Sequence, residues 1–401
     1  MKSAHDQSNK PGVSSPFAGT NQTGMRALNE RLILTLIRQH GALSTSEIAR
    51  HSGLTAQTVS VIIRALERDG LLLKGEPQRG RVGQPSVPIR LNPRGAYFLG
   101  LKIGRRSAEM VLTDFLGTIL ARRGLAYPVP AFDAVVDFSV QAAAHLVASL
   151  RPDARARIAG LGIAMPFRLW DWADALATDP SRMQAWQDRD IRAELAQALQ
   201  VPVFVQKDAS AACGAELVFG TGAQAPNFLY FYIGYFIGGG LVLNGSLFDG
   251  PNGNAGALGS VRVLDAAGRR CQLIDMASLM VLERALAEQG IDGATLWDSV
   301  DCWAAPQAVL DDWAEHAASG IAQAIQAAVA VVDVRLVKLD GWLPPGLRDA
   351  LVERVRAHLG QADFKGLERP SIQAGTMGAE ARVIGAASQP LLARFMTGFA
   401  R

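Results

Sequence analysis

At 401 residues, 49% hydrophobic and 19% charged, the chain is long enough for two or three packed domains and too apolar to be intrinsically disordered. Its three scattered cysteines exclude a disulfide scaffold and a CxxC zinc pair, and its six histidines include no HExxH. Net charge is only +3, but residues 1–95 carry +7 and the remainder −4, an asymmetry that points to a polyanionic partner near the N-terminal end.

The opening residues hold no apolar run, so no signal peptide is expected. Residues 1–24, rich in Ser, Asn, Gln, Pro and Gly, read as a flexible tail. From Met25 onward Leu28, Leu32, Leu34, Leu36 and Ile37 predict an amphipathic helix ending near Gly41. Ser44 and Glu47 form a capping-box pattern for a short helix that stops at Gly53, and a second helix runs from Thr55 to Gly70. Two short helices around a tight turn are the helix-turn-helix pattern.

In the second of these helices Val59, Ile62, Ile63 and Leu66 face inward. Thr55, Gln57, Thr58 and Ser60 stand at its N-terminal end, short and polar enough to meet base edges or phosphates. Residues 71–91 then read as two short strands around a glycine-rich wing whose tip carries Arg79 and Arg81, suited to a narrow minor groove. The competing reading is a protein-interaction module with an ordinary surface loop. Capping box, turn glycine, polar-then-apolar helix and basic wing agree on double-stranded DNA, and residues 25–92 are expected to be a winged helix-turn-helix domain.

Beyond Pro93 the chain turns Gly- and Ala-rich. Strands are expected at 97–103, 107–113 and 158–165, a helix around 131–151, another over 188–199, and a strand at 201–206 leading into a helix from Lys207. The apolar run Phe228–Leu243 falls short of the roughly 20 residues that a membrane span needs. Its glycines suit two buried strands around a turn, and the protein is read as soluble and cytoplasmic. Helices over 276–332, a strand at 335–341 and a helix at 345–360 complete an α/β pattern with a sheet covered on both faces.

This layout resembles the ROK family (repressor, open reading frame, kinase), in its members with an N-terminal winged helix, over nearly all the chain but the tail. The matching pieces are Gly100–Leu120 at the first phosphate hairpin, the strand IAGLGIAMP, the segment from Val205 to Ala212, and the glycine series Gly234–Gly240, Asn244-Gly245 and Gly253–Gly256. The resemblance implies a two-lobed actin- or hexokinase-like domain over residues 95–401, cleft between its lobes.

Departures from the family pattern are as informative. Lys102, Arg105 and Arg106 stand where family kinases write the Asp, second Gly and Thr of DxGGT, and Gly234-Tyr235-Phe236 replaces GTG. Bulky side chains there block the backbone cradle for phosphate, so no ATP chemistry, no catalytic residue and no cofactor is expected. Of the family's zinc cluster only Cys271 remains, with Ser260 in the histidine position, so no metal is expected and Cys271 is read as a small buried residue.

Asp208, which the resemblance makes a sugar ligand, is kept, while Lys207 replaces the asparagine beside it and Ala257 the usual glutamate. The effector site is therefore expected at Asp208, Lys207, Asn254, Ser260 and Asp275. Trp170 and Trp172 are candidates for stacking on a sugar or for the core. Lys207, Arg105 and Arg106 point toward an acidic sugar or sugar phosphate, against the alternative that Lys207 only pairs with a carboxylate and nothing binds. The expected function is a carbohydrate-controlled transcriptional regulator, most simply a repressor acting as a homodimer or tetramer on an operator. The alternatives are a regulator with an inert cleft signalled by a protein partner, and an active sugar kinase.

Overall fold

Local chemistry sets the N-terminal head. In the computed structural model, which describes residues 22–77, 87–172, 179–220, 225–301 and 303–397, the first helix α1 (Gln22–His40) begins inside the stretch expected to be tail. Extending an existing helix fixes one residue per added bond, so it outruns the apolar stripe that marks it in the sequence. Leu28, expected on the inner face, is exposed, and the buried face is Ile33, Leu34 and Ile37.

Helix α2 (Thr45–Ser52) carries the reciprocal capping box: Glu47 N donates to Ser44 Oγ (3.3 Å) and Ser44 N to Glu47 Oε2 (2.8 Å). Gly53, at φ 69°, ends it in a left-handed conformation that costs glycine nothing. Thr55 caps α3 (Ala56–Arg68) by accepting from Thr58 N at 3.2 Å. Strands β1 (Leu72–Lys74) and β2 (Ile89–Leu91) pair antiparallel with Leu72 opposite Leu91, and Leu43 bridges to Ile89. The wing tip, with Arg79 and Arg81, lies outside the described residues.

The first lobe opens with the antiparallel meander β3 (Tyr97–Ile103), β4 (Ser107–Thr113) and β5 (Ile119–Ala126). Helices α4 (Phe132–Ala148) and α5 (Pro152–Arg155) return the chain to β6 (Ile158–Met165), parallel to β3. Then α6 (Gln184–Asp188) and α7 (Ile191–Leu199) lead to β7 (Val203–Lys207), completing the order β5-β4-β3-β6-β7. Helix α8 (Asp208–Phe219) starts directly from the end of β7.

The second lobe is a sheet of order β10-β9-β8-β13-β14, with β8 (Phe228–Ile233), β9 (Gly238–Leu243) and β10 (Ser246–Leu247) as its antiparallel side. A small hairpin, β11 (Arg262–Leu264) and β12 (Arg270–Gln272), precedes α9 (Ile274–Ala277), α10 (Leu279–Glu288) and α11 (Gln307–Val332). Then come β13 (Leu336–Gly341), α12 (Pro345–Gln361), β14 (Ser371–Ala374) and α13 (Ala381–Phe395). The run Phe228–Leu243 is the buried β8–β9 hairpin, and no described helix is long and apolar enough to cross a membrane.

Helix α13 had no counterpart in the sequence reading, yet it ties the molecule together. It leaves the second lobe and packs between β3 and β6 on one side and α8 on the other. Side-chain-free positions allow this approach: a Cβ on Gly162 would lie 1.8 Å from Ala386 O, and one on Gly385 1.9 Å from Ala211 O. Under its N-terminal end Lys338 donates to Glu216, both fully buried, and Glu216 Oε2 also accepts from Thr376 N (2.9 Å) and Thr376 Oγ1 (3.1 Å).

The far end of α13 reaches the head. Phe395 meets the rings of Phe98 and Phe115 edge-on, at 6.0 and 5.1 Å, and one continuous apolar cluster runs from these rings into Ile33, Ile37, Ile62 and Leu66. Thr397 N donates to Thr35 Oγ1 of α1 (3.0 Å), and Arg38 donates to Phe115 O while lying over the Phe219 ring (5.3 Å). Burial lowers the Arg38 pKa to about 10.

Candidate DNA-binding face and effector cleft

On α3 the structure separates the four polar candidates. Thr55 is spent as a cap, with Thr58 Oγ1 at 2.9 Å from its hydroxyl, and Ser60 Oγ donates back to Ala56 O (2.8 Å). Gln57 is exposed and makes no hydrogen bond among the described residues, so its amide is available to a base edge. Arg64, two turns along, is exposed with its Nε on Ser60 O (3.2 Å), and Val61 between them is also exposed. These side chains share the outward side of a helix whose inner side, Val59, Ile62, Ile63 and Leu66, is buried as expected.

Between the lobes, the C-terminal ends of β6 and β7, the β3–β4 and β8–β9 turns and the first turn of α13 converge on a cavity of about 190 Å³. Lys207, Asp208, Asn254 and Ser260 all line it, brought together from β7, α8 and the loop after β10. Asp208 Oδ1 accepts from Ala209 N (2.8 Å), and its Oδ2 lies 3.7 Å from Arg382 Nη1. Lys207 Nζ donates to Ala255 O (2.8 Å), and burial lowers its pKa to about 8.

Asp275 is not part of this cavity. It sits exposed at the start of α9, where its Oδ2 accepts from Gln272 N (3.2 Å), and it lines a separate surface hollow with Asp265 and His316. The short helix rotates that carboxylate outward, and Gln272 and Ile274 take the cleft positions instead. Trp170 is half-buried and lines a shallow groove on the far side of Lys207 from the cleft, and the side chain of Trp172 is outside what is described.

Arg382 is the residue that sequence reasoning missed. Its side chain is 14% exposed, its guanidinium lies 5.0 Å over the Tyr232 ring, and it faces Asp208 from α13. Its segment, ARVIGAASQPLLARF, contains Gly385 and Pro390, which read against a helix. The only available signal was the apolar spacing around them.

Residues at the two altered phosphate loops meet face to face. The Arg105 guanidinium sits 3.6 Å from the centre of the Phe236 ring and 5.2 Å from that of Tyr235, a cation–π contact from the β3–β4 turn to the β8–β9 turn. Arg106 Nη1 pairs with Glu283 of α10 (3.1 Å). Burial lowers Arg105 to about 9 and Lys102, whose Nζ donates to Ser107 Oγ (3.2 Å), to about 8. These two residues, with Arg106, Arg382, Asp208, Trp297 and Trp342, enclose an adjoining cavity of about 130 Å³.

The zinc implied by the resemblance does not fit the residues present. Cys271 is half-buried in the β11–β12 hairpin, not buried as expected, with its Sγ toward Val263 O (3.8 Å). Among the described residues no group of three His, Cys, Asp or Glu side chains is arranged to hold a metal.

Known proteins share this architecture. The chain is 27% identical over 93% of both sequences to "Uncharacterized protein y4fQ" of Sinorhizobium fredii. It is 25% identical to the xylose repressor of Bacillus subtilis, over 63% of this chain and 64% of the repressor, just under two thirds of that protein's length. A crystal structure of a ROK family transcriptional regulator, a homolog of the E. coli MLC protein, superposes with a TM-score of 0.66 at 19% identity, covering 92% of this chain and 96% of that one. The ROK hexokinase of Thermus thermophilus superposes on 73% of this chain and 96% of its own, with a TM-score of 0.53 at 25% identity. Residues 28–76 match the MarR family and residues 98–391 match the ROK family, and the chain belongs to the ROK family.

Proposed function

We propose that this protein is a DNA-binding transcriptional regulator, of repressor type, whose kinase-like cleft takes a carbohydrate effector and no longer transfers phosphate. The carrying observation is the pairing of a helix-turn-helix head with a cleft in which the Arg105 guanidinium lies against the Tyr235 and Phe236 rings, at the positions where the resemblance puts the two phosphate loops of the kinases. The relatives named as xylose repressors support the same reading.

In this reading α3 enters the major groove with Gln57 and Arg64 toward the bases, Thr55 and Thr58 set its N-terminal turn beside the phosphates, and the Ser60 hydroxyl stays on Ala56 O. Arg79 and Arg81 reach the minor groove. Asp208 and Asn254 receive sugar hydroxyls, with Lys207 and Ser260 at the margin of the pocket. A homodimer or tetramer would present two heads to two half-sites. Effector binding at Asp208 acts on Arg382 and so on α13, whose other end abuts α1, and an effect on operator affinity of about 1–3 kcal/mol is the ordinary size of such coupling.

The test is operator selection from random DNA by full-length protein, followed by anisotropy titrations of the selected site with a sugar panel and a parallel ATP-turnover assay. Sequence-specific binding that one sugar class weakens, with no turnover, supports the proposal. Failure to select any site, or sugar-dependent ATP consumption, overturns it.

A further inference from the structure

Four cationic side chains converge where the lobes meet. Lys102, Arg105, Arg106 and Arg382 all line the cavity of about 130 Å³, and Asp208 is the one carboxylate lining it among the described residues. The other acids nearby border the cavity without lining it. Glu283 holds Arg106 at the rim, and Glu109 is shared with Arg122, which is also bridged to Glu380. Asp208 lies 3.7 Å from Arg382, beyond hydrogen-bond length, and Arg382 Nε is buried with no hydrogen-bond partner among the described residues.

Gathering like charges in a partly buried site is unfavourable unless an opposite charge joins them. Lys207, the cation that the sequence pointed to most directly, is turned away onto Ala255 O and lines the other cavity. The wall opposite the cations is aromatic, formed by Tyr235, Trp297 and Trp342, and the Trp297 indole N–H is buried and also without a hydrogen-bond partner among the described residues. Three guanidiniums and an ammonium around a small space match the several acceptor lone pairs of an oxyanion, through short charge-assisted bonds. Asp208, Arg105 and Arg382 line both cavities.

We infer that the effector is an anionic carbohydrate, its phosphate ester or carboxylate held by Lys102, Arg105, Arg106 and Arg382 and its hydroxyls turned toward Asp208 and Asn254. This rests on the effector reading above and assigns a new task to the positions that replaced the kinase phosphate loop.

The experiment titrates full-length protein with inorganic phosphate, with hexose and pentose phosphates, with the matching aldonic and uronic acids, and with the parent neutral sugars. Each is run against potassium chloride of equal ionic strength. Intrinsic fluorescence is the readout, because Trp297 and Trp342 wall the pocket. Inorganic phosphate gives a saturable response, and at least one sugar anion binds tenfold or more tightly than its neutral parent. A phosphate as the tightest ligand identifies an ester, and a sugar acid identifies a carboxylate.

Arg105→Met and Arg106→Ala each weaken anion binding about tenfold, ~1.4 kcal/mol. Arg106 is an exposed rim residue, so its removal leaves the fold intact. A phosphate response no larger than that to chloride, or one that survives both substitutions, overturns the inference. Phosphate binding with no gain from any sugar anion overturns its carbohydrate part. Anion binding that leaves operator affinity unchanged retains the pocket and removes the effector reading. Operator release by a neutral sugar without anion binding does the reverse.

Discussion

Truncating Phe395 to alanine tests whether head and first lobe form one cooperative unit. The ring is 7% exposed and packs edge-on against Phe98 and Phe115, both fully buried, in the cluster that continues into α1 and α3. Phe→Ala in a core costs about 3–5 kcal/mol, a range that contains the roughly 0.5–1.5 kcal/mol of each lost aromatic pair. At about 2–4 °C per kcal/mol for a unit of this size, the midpoint of unfolding falls on the order of 10 °C.

The assay is calorimetry with hydrogen exchange read separately on peptides from α3 and from β3–β4. A shared core predicts one transition and parallel loss of protection in both sets of peptides. Protection lost in β3–β4 but unchanged in α3 would refute the reasoning, since the head would then be folding by itself. Val331→Ala, at a side chain 84% exposed on α11, is the control and leaves the midpoint in place.

Three further outcomes are expected. Gln57→Ala lowers operator affinity by about 1–3 kcal/mol and relaxes one base position, whereas Ser60→Ala, whose hydroxyl already serves Ala56 O, changes it little; competition titrations with single-base operator variants separate the two. Lys338→Met leaves Glu216 buried without its cation and costs about 3–5 kcal/mol in chemical denaturation, partly recovered by adding Glu216→Gln; an unchanged midpoint would mean that this buried pair does not hold the fold together.

The third concerns pH. Burial lowers Lys102 and Lys207 to about 8 in the fold, while the unfolded amines hold their protons to about 10.5. The unfolded chain therefore binds more protons above pH 8, and stability rises with pH from there. Near pH 9 and above, Cys213 and Tyr127, both raised by burial, oppose the trend. Lys102 faces Arg382, Glu109 and Asp208, and Lys207 faces Asp208, Cys213 and Asp249, so both are read in the presence of those groups. Melting midpoints of ligand-free protein should climb between pH 7.5 and 9 and flatten in the Lys102→Met/Lys207→Met double variant.

What the sequence carried well was periodic or locally determined. The capping box at Ser44, the turn at Gly53 and the apolar face of α3 follow from contacts within a few residues, and each is found as read. Strands β3, β6, β8 and β9, buried nearly throughout, were legible as apolar, glycine-containing runs, while the short edge strand β14 was not read. Direction was harder to read. Asp275 and Gln272 are three residues apart, and only the turn into α9 decides which one enters the cleft. Helix α13 was missed because Gly385 and Pro390 argue against a helix, and the glycine is there for the close approach of α8, a contact between residues more than 170 positions apart. Arg382 and the anionic pocket were hidden with it.

The seam between α13 and α1 bears on how the protein is made. During synthesis the head emerges first, and Leu391, Phe395 and Met396, which close its core, follow about 300 residues later. At translation rates of about 5–20 residues per second the head waits roughly 15–60 s with that apolar side uncovered. The helix that completes the core of the first domain made is thus the last helix of the chain to be made.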